Sequence, residues 1–423
     1  MNADQLRSLQ PALEAWVERF RACFERESTF EHFRCYLLGL MAELKRKSIE
    51  PIALAAGVAV RTLQEFLAFF VWDQGRMDGL LVQTVANRPG GGRGGTVVID
   101  ASGHAKRGDK TPGVQRQYCG ETGKIDNCVV GQHLLYTDNH PKNPFCCMLA
   151  SDLFLPECWD ADRKRCREAG IPDQVKHRPK WRIALDQLAG VIAAGVSPEW
   201  VVFDEDYGRI PAFWFGLDRL GQTGVGEVPS NFRCWVKPPA CTSVQACHAS
   251  RQADNLTVYS PVFREQDWKR CEVKETTRGT CVWEYKAARV RLPCHDGPVS
   301  EPTDRAYWLL VLRQPGSGEI KYVVSNATDQ ARPEDLVRAL FSRWHIEKWF
   351  ERAKQEVGLG AFEVRTYTSL IRHWLCCRIA MCFLADQTTR LRGEKSEDHL
   401  RAGSGGDQHA LREDLADQFT LVG

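Results

Sequence analysis

The chain has 423 residues, 43% hydrophobic and 26% charged, with a formal net charge of +2. This excludes a fibrous or largely disordered chain and leaves an ordinary globular protein of roughly two to three domains with a sizeable core. The near-neutral balance gives no global argument for nucleic acid, while local basic patches stay compatible with it.

Residues 1–87 read as helical, because LRSLQPALEAWVERFRACFERE and FEHFRCYLLGLMAEL repeat apolar residues at three- and four-residue spacing. The opening MNADQLRSLQPALEAW has neither the basic start nor the apolar core of a signal peptide. Residues 49–67, IEPIALAAGVAVRTLQEFL, fit a helix-turn-helix. Ala53 and Gly57 take its small-residue and turn positions, and Ile52, Ala56, Val58, Leu63 and Phe66 its packing positions. The second helix would offer Arg61, Thr62, Gln64 and Glu65 to a major groove; a plain helical bundle is the alternative.

RPGGGRGG at 88–95 marks a linker. TVVID (96–100), CVVGQHLLYT (128–137) and FCCMLASDLFL (145–155) are predicted strands, with Gly108, Gly113, Gly120 and Gly123 suiting an extended hairpin between the first two. PKWRIALDQLAGVIAAGV (179–196) is a predicted helix, WVVFDEDYG (200–208) a buried strand ending in acids, and FRCWVK (232–237) a further strand. Over 240–330, pieces such as VRLP, YWLLVLR and IKYVVSN alternate with turns, which reads as a β-rich insertion without a long helix. A long helix is predicted from Pro333, ended by Gly358 and Gly360, and another over 368–391. Its most apolar stretch, 374–385, contains Arg378 and is too short for a membrane span, which needs about 20 residues. The chain is therefore expected in the cytoplasm. The polar tail from Arg392, with GSGG, is expected to be partly disordered.

The seventeen cysteines include no CxxC pair, and Cys146-Cys147 and Cys376-Cys377 lie in apolar runs. They read as reduced core residues. A zinc site from Cys241, Cys247 and His248 is the alternative.

RWHIEKWFERAK (343–354) carries the chemistry. At about 100° per residue, Leu336, Leu340, Ile346, Phe350, Ala353 and Val357 fall in one arc of roughly 140°. Arg343, Glu347 and Lys354 fall in the same arc; Ser342, His345, Lys348, Arg352, Gln355 and Glu356 lie opposite. Trp344 and Trp349 project from the polar half and are expected to pack against the insertion rather than stack on bases. A carboxylate on a buried face needs a partner or a metal. The i,i+4 pair Arg343–Glu347 is the plain explanation, but it does not account for the face on which the pair sits.

Asp100 and Asp204 end strand-like runs, where an acid points into the crevice that binds ligands; a simple turn residue is the alternative for each. Asp206 and Asp109 are rivals to Asp204 and Asp100. Asp100, Asp204 and Glu347 together would cage magnesium or manganese, with two ions about 4 Å apart serving phosphoryl transfer. Arg343 would grip phosphate as a fork and Lys354 as a point charge. KRGDK (106–110), which carries Lys106, Arg107 and Lys110, forms with Arg116 a basic stretch beside Asp100, and RKRCR (163–167) and KHRPKWR (176–182) are others; each is a phosphate contact or a solvated face.

The spacing of Arg343, Glu347 and Lys354, with GDKTPGVQRQYCG (108–120), LFLPECW (153–159), FDEDYG (203–208) and VGLGAFEVRTY (357–367), resembles bacterial insertion-sequence transposases. These carry an Asp-Asp-Glu triad on a ribonuclease-H-like fold, here in the subgroup with a Tyr-Arg-Glu-Lys signature; Leu340 stands at the tyrosine position. The likeness runs from about residue 10 to 390. It implies that Asp100, Asp204 and Glu347 are the catalytic triad and metal ligands. It implies an α/β fold: an N-terminal all-α domain (1–87), a linker (88–95), a ribonuclease-H-like core (96–239 and 331–391) split by the β-rich insertion (240–330), and a tail (392–423). It further implies double-stranded DNA as partner, a homodimer in the DNA complex, and metal-dependent strand cleavage at element ends followed by strand transfer. A nuclease that does not join strands and a decayed DNA-binding regulator are the alternatives. Such transposases often continue into further C-terminal helices, so the polar tail reads as a shortened end.

Overall fold

The structure, a computed structural model, describes residues 9–89, 92–141, 143–237, 250–276, 279–294 and 300–393. Cys241, Cys247 and His248, proposed as zinc ligands, and the tail beyond residue 393 lie outside the described residues.

The chain opens with α1 (Leu9–Glu18), a 3-10 turn, α2 (Glu27–Met41), α3 (Ile49–Ala55), α4 (Val60–Ala68) and α5 (Gln74–Ala86). α1 buries Leu9, Leu13, Trp16 and Val17 along one stripe. The Asp73 carboxylate starts α5 by accepting the Arg76 N–H at 2.8 Å. Next come β1 (Thr96–Ala105), β2 (Gln115–Cys119), β3 (Lys124–Thr137), β4 (Cys146–Leu153), α6 (Glu157–Asp160), α7 (Arg163–Glu168) and α8 (Lys180–Ala193). These are followed by β5 (Trp200–Phe203), α9 (Glu205–Gly208), α10 (Pro211–Arg219), β6 (Gly224–Val228), β7 (Arg233–Cys234) and β8 (Arg251–Gln252). The last elements are α11 (Ala253–Tyr259), α12 (Pro261–Arg264), β9 (Lys269–Thr276), β10 (Gly279–Val290), β11 (Tyr307–Arg313), β12 (Ile320–Ser325), α13 (Pro333–Phe341), α14 (Trp344–Glu356) and α15 (Tyr367–Gly393).

Two compact units divide the chain. Unit 1 draws on Met1–Gly92, Ala101–Ser197 and Ile346–Gly423, and unit 2 on Arg93–Asp100 and Pro198–His345. β1 and α14 each begin in unit 2 and end in unit 1.

Unit 2 holds a mixed sheet. β1 and β6 flank β5 in parallel, and β12, β11, β10 and β9 continue antiparallel from β6. The parallel strands read as unbroken apolar runs because both their faces are covered. Val202, Val225, Leu310, Leu312 and Val323 of the sheet pack against Leu336, Val337 and Leu340 of α13. Leu340 is 2% exposed, so an apolar side chain fills the place where the signature has tyrosine. A tyrosine hydroxyl there would need a buried partner.

In unit 1, β3 lies beside β1 and pairs antiparallel with β2 and β4. α15 packs on β4 and on α2, α4 and α5. By length and composition α15 could cross a membrane, yet 83% of that stretch is buried inside the protein. The apolar run is thus longer than the stretch picked out in the sequence, and it is a core helix. Its Arg378 is held by Asp78 at 2.6 Å and donates to Met148 O at 2.9 Å and to Leu149 O. The described cysteines are free and mostly buried; burial pushes the Cys376 thiol up to about 12.

The structure departs from the predicted elements in five places. β1 runs past Asp100 to Ala105, so Asp100 lies within the strand instead of at its end. The helix expected from Pro333 breaks between α13 and α14. There the Ser342 hydroxyl donates to Ala339 O at 2.6 Å, and His345 N bonds Ser342 O at 3.1 Å, three residues back. These local bonds compete with the helical ladder. β5 stops at Phe203 instead of running to residue 208. β9 and most of β10 form a hairpin whose alternating polar face hid it from an apolar scan. β7, expected over six residues, has two.

Candidate active site

β1 and β5 run parallel with Thr96 opposite Trp200, Val97 opposite Val201 and Val98 opposite Val202. Beyond Val98 and Val202, β1 runs on through Asp100 to Ala105, while β5 ends at Phe203, just before Asp204. Val97, Val98, Ile99, Val201, Val202 and Phe203 are fully buried behind them. At Asp204 the chain leaves the strand. Its carboxylate accepts the Asp206 N–H at 3.0 Å and caps α9. Gly208 lets α9 close onto β6, since a Cβ there would lie 1.9 Å from Glu227 O. Arg343, in the break between α13 and α14, places Nη1 3.5 Å from Asp100 Oδ2, with side chains 23% and 17% exposed.

Asp100, Asp204 and Arg343 all belong to unit 2, where Arg343 meets Asp100. Glu347 and Lys354 lie on α14 in unit 1. The expectation of three charges on one buried helix face does not hold, because the break resets the helical phase. Glu347 is exposed in the first turn of α14, where a carboxylate complements the helix dipole. Arg343 is off the helix and half-buried, whereas Ser342 and Trp349, assigned to the polar side, are buried. Lys354 is half-buried and donates to Gly103 O at 3.3 Å. Asp206 is 59% exposed and pairs with Arg209 at 3.5 Å. Asp109 is 76% exposed, with Lys110 3.9 Å away.

The basic candidates separate. Lys106 donates to Gly360 O at 2.7 Å and Phe362 O at 2.8 Å, and sits 3.5 Å over the Phe362 ring. Burial pulls its ammonium down to about 8. It clamps the segment after α14. Arg107 and Arg116 are exposed. The runs at 163–167 and 176–182 are met by acids: Arg163 by Asp160 at 2.9 Å, Arg178 by Asp186 at 2.6 Å and Arg182 by Asp186 at 3.4 Å. These acids meet part of the charge of the two runs.

α3 and α4 flank a turn with Gly57 at φ +63°, a conformation glycine adopts without strain. Ile52, Leu63 and Phe66 are fully buried, while Ala56 and Val58 are half-buried. On α4, Gln64 is exposed, Thr62 half-buried, and Arg61, 79% exposed, pairs with Glu65 at 2.6 Å.

Sequence reasoning missed three buried histidines and Arg372. His104 and His133 are fully buried beside Trp374. Burial drives His104 well below the usual histidine range and His133 to about 3. A polar residue inside an apolar run, the signal that drew attention to Glu347, also marks Arg372, His373 and Arg378 on α15.

Hard divalent cations prefer carboxylate oxygen, and the half-buried Asp100 and Asp204 are donors of that kind. Among the described residues, no three His, Cys, Asp or Glu side chains form a ready-made metal cluster.

The chain matches the family described as DDE superfamily endonuclease over residues 19–280, a span that contains both aspartates. It is also 31% identical over 376 residues to a protein named "Probable transposase for insertion sequence element IS701" from Microchaete diplosiphon, covering 86% of each chain. The N-terminal helices and the mixed sheet are consistent with the ribonuclease-H-like fold of such enzymes. By the extent of both matches, the chain belongs to the DDE superfamily endonucleases.

Proposed function

We propose that this protein is an insertion-sequence transposase of the Tyr-Arg-Glu-Lys subgroup, which cuts a DNA strand at the ends of its element and joins the freed end to target DNA. The observation that supports the reading most is Asp100 on β1 and Asp204 directly after the neighbouring parallel strand β5, with Arg343 3.5 Å from Asp100. The likeness to a protein named as a transposase supports it. Glu347 is the third acid. Its place on α14, four residues after Arg343 and seven before Lys354, matches the signature.

Asp100, Asp204 and Glu347 would hold magnesium or manganese, in a pair of ions, which when bound polarises the attacking oxygen and offsets charge building on phosphorus. Arg343 engages a non-bridging phosphate oxygen through its fork, and Lys354 adds a point charge. In the first step water adds to phosphorus, and the 3′ oxygen leaves and takes up a proton. In the second, that 3′ hydroxyl attacks a target phosphodiester and displaces its 3′ oxygen. No covalent bond to the protein forms. Residues 1–87 read the element's end, with Arg61, Thr62 and Gln64 facing DNA and Arg107 and Arg116 contacting backbone. The residues over 240–330 are an insertion into the catalytic core, and a homodimer pairs two ends.

Full-length protein with Glu347→Gln is expected to bind duplexes from the flanks of the reading frame as the parent does, and to lose magnesium-dependent nicking by at least about a hundredfold. Unchanged nicking would remove Glu347 from the triad. Precut ends then separate the readings. Joining products support a transposase, cutting without joining supports a nuclease, and binding with neither supports a regulator.

A further inference from the structure

The last carbonyls of a helix have no partner within it. At the end of α4, Phe69 N and Phe70 N both bond Glu65 O, at 2.8 and 3.0 Å. The next carbonyls are taken by a residue some three hundred positions away. Arg372 Nη1, from α15, donates to Phe66 O at 3.2 Å, Leu67 O at 3.1 Å and Phe70 O at 2.9 Å. Arg372 is 8% exposed, and its guanidinium lies 4.2 Å over the Trp72 ring. Trp72 stacks on Phe66 at 5.6 Å and donates to Phe66 O at 3.3 Å. A cation at a helix C-terminus complements the dipole, and here it is fixed by packing as well.

The neighbouring residue extends the connection. His373 Nε2 lies 3.1 Å from Gly358 O, just past α14, and Nδ1 lies 2.8 Å from the Tyr36 hydroxyl of α2. A carbonyl only accepts, so Nε2 carries the proton and Nδ1 accepts from Tyr36. Two successive residues of one core helix therefore hold α4, α2 and the end of α14, all within unit 1. Opposite this anchor, α4 exposes Arg61 and Gln64.

We propose that Arg372 is a positioning residue for recognition of DNA ends: it fixes α4 from the core, so that the Arg61 and Gln64 face is presented in a set orientation relative to Lys354 on α14. Sequence choice by α4 and phosphate grip by α14 then share one frame. The inference rests on the reading of α3 and α4 as the DNA-contacting pair.

The test uses full-length protein and two duplex probes at matched salt, one from the flank of the reading frame and one scrambled to the same composition. Arg372→Met is expected to lower the flank-over-scrambled preference about tenfold while leaving scrambled-duplex affinity unchanged, the scale of one lost base contact. Arg372→Lys, which keeps the charge but not the fork, is expected to fall between the two, and it carries the test should Arg372→Met fold poorly. Amide exchange at Phe69 and Phe70 should accelerate in both variants. The double variant Arg61→Ala with Gln64→Ala should lose the preference as well. Retained preference in both Arg372 variants, with loss in the double variant, overturns the positioning role and leaves the DNA-reading assignment standing. Retained preference in the double variant overturns that assignment and the positioning role with it.

Discussion

Arg343 meets Asp100 at 3.5 Å in a half-shielded place. This cation's charge opposes any divalent ion that Asp100 would take. Removing it should strengthen ion binding even as it removes a phosphate contact. Arg343→Ala is therefore expected to bind manganese more tightly, by about fivefold for an interaction near 1 kcal/mol in a partly solvated site, while cleavage falls. Asp100→Asn should move manganese affinity the opposite way. Titration calorimetry on both variants decides the matter, and weaker binding in Arg343→Ala would show that the guanidinium supports the carboxylates instead of opposing the ion. Leu340 follows the same logic at one position: it is buried among Leu336, Val337 and the sheet, where a hydroxyl would need a partner.

Among the elements, α9 is the shortest one that matters to the site. It turns the chain away at Asp204 and closes on β6 only because Gly208 has no side chain. Gly208→Ala would place a methyl group against the Glu227 carbonyl, a backbone atom that cannot yield. The expected cost is about 1–3 kcal/mol, with activity reduced further because Asp204 moves with the turn. Gly120→Ala, which would meet nothing within 4 Å, should change stability by under about 0.5 kcal/mol. Urea unfolding of the two variants makes the comparison, and equal midpoints would contradict the packing. FDEDYG was legible through its resemblance to the family, and both aspartates were legible because each ends an apolar run. The α13–α14 break was not. Its cause is a pair of local hydrogen bonds at Ser342 and His345, and a helical wheel carries its phase straight through such a point. The anchor on α4 was equally hidden, because no pattern of spacing ties residue 66 to residue 372.

Across the whole chain, the three buried histidines among the described residues all lie in unit 1: His104, His133 and His373. Burial holds each imidazole neutral, with His373 lowered to about 4, His133 to about 3 and His104 well below the ordinary value. Nearby cations act the same way, Lys354 and Lys106 on His104 and Arg378 on His133. Unfolding releases these rings to titrate near 6.5. Below that pH the unfolded chain binds more protons than the folded one, so stability falls as pH falls. The contribution is complete above about 6.5 and is lost progressively toward the folded values near 4 and 3. Each ring adds about 1.4 kcal/mol per pH unit, so the three together give unit 1 a slope of about 4 kcal/mol per unit around pH 5.5. With two compact units the transition need not be two-state, so amide exchange on β3 and α15, which carry His133 and His373, is the measurement to follow. His133→Gln should remove about a third of the slope. A slope unchanged by that substitution would mean that the ring reaches solvent and protonates without unfolding.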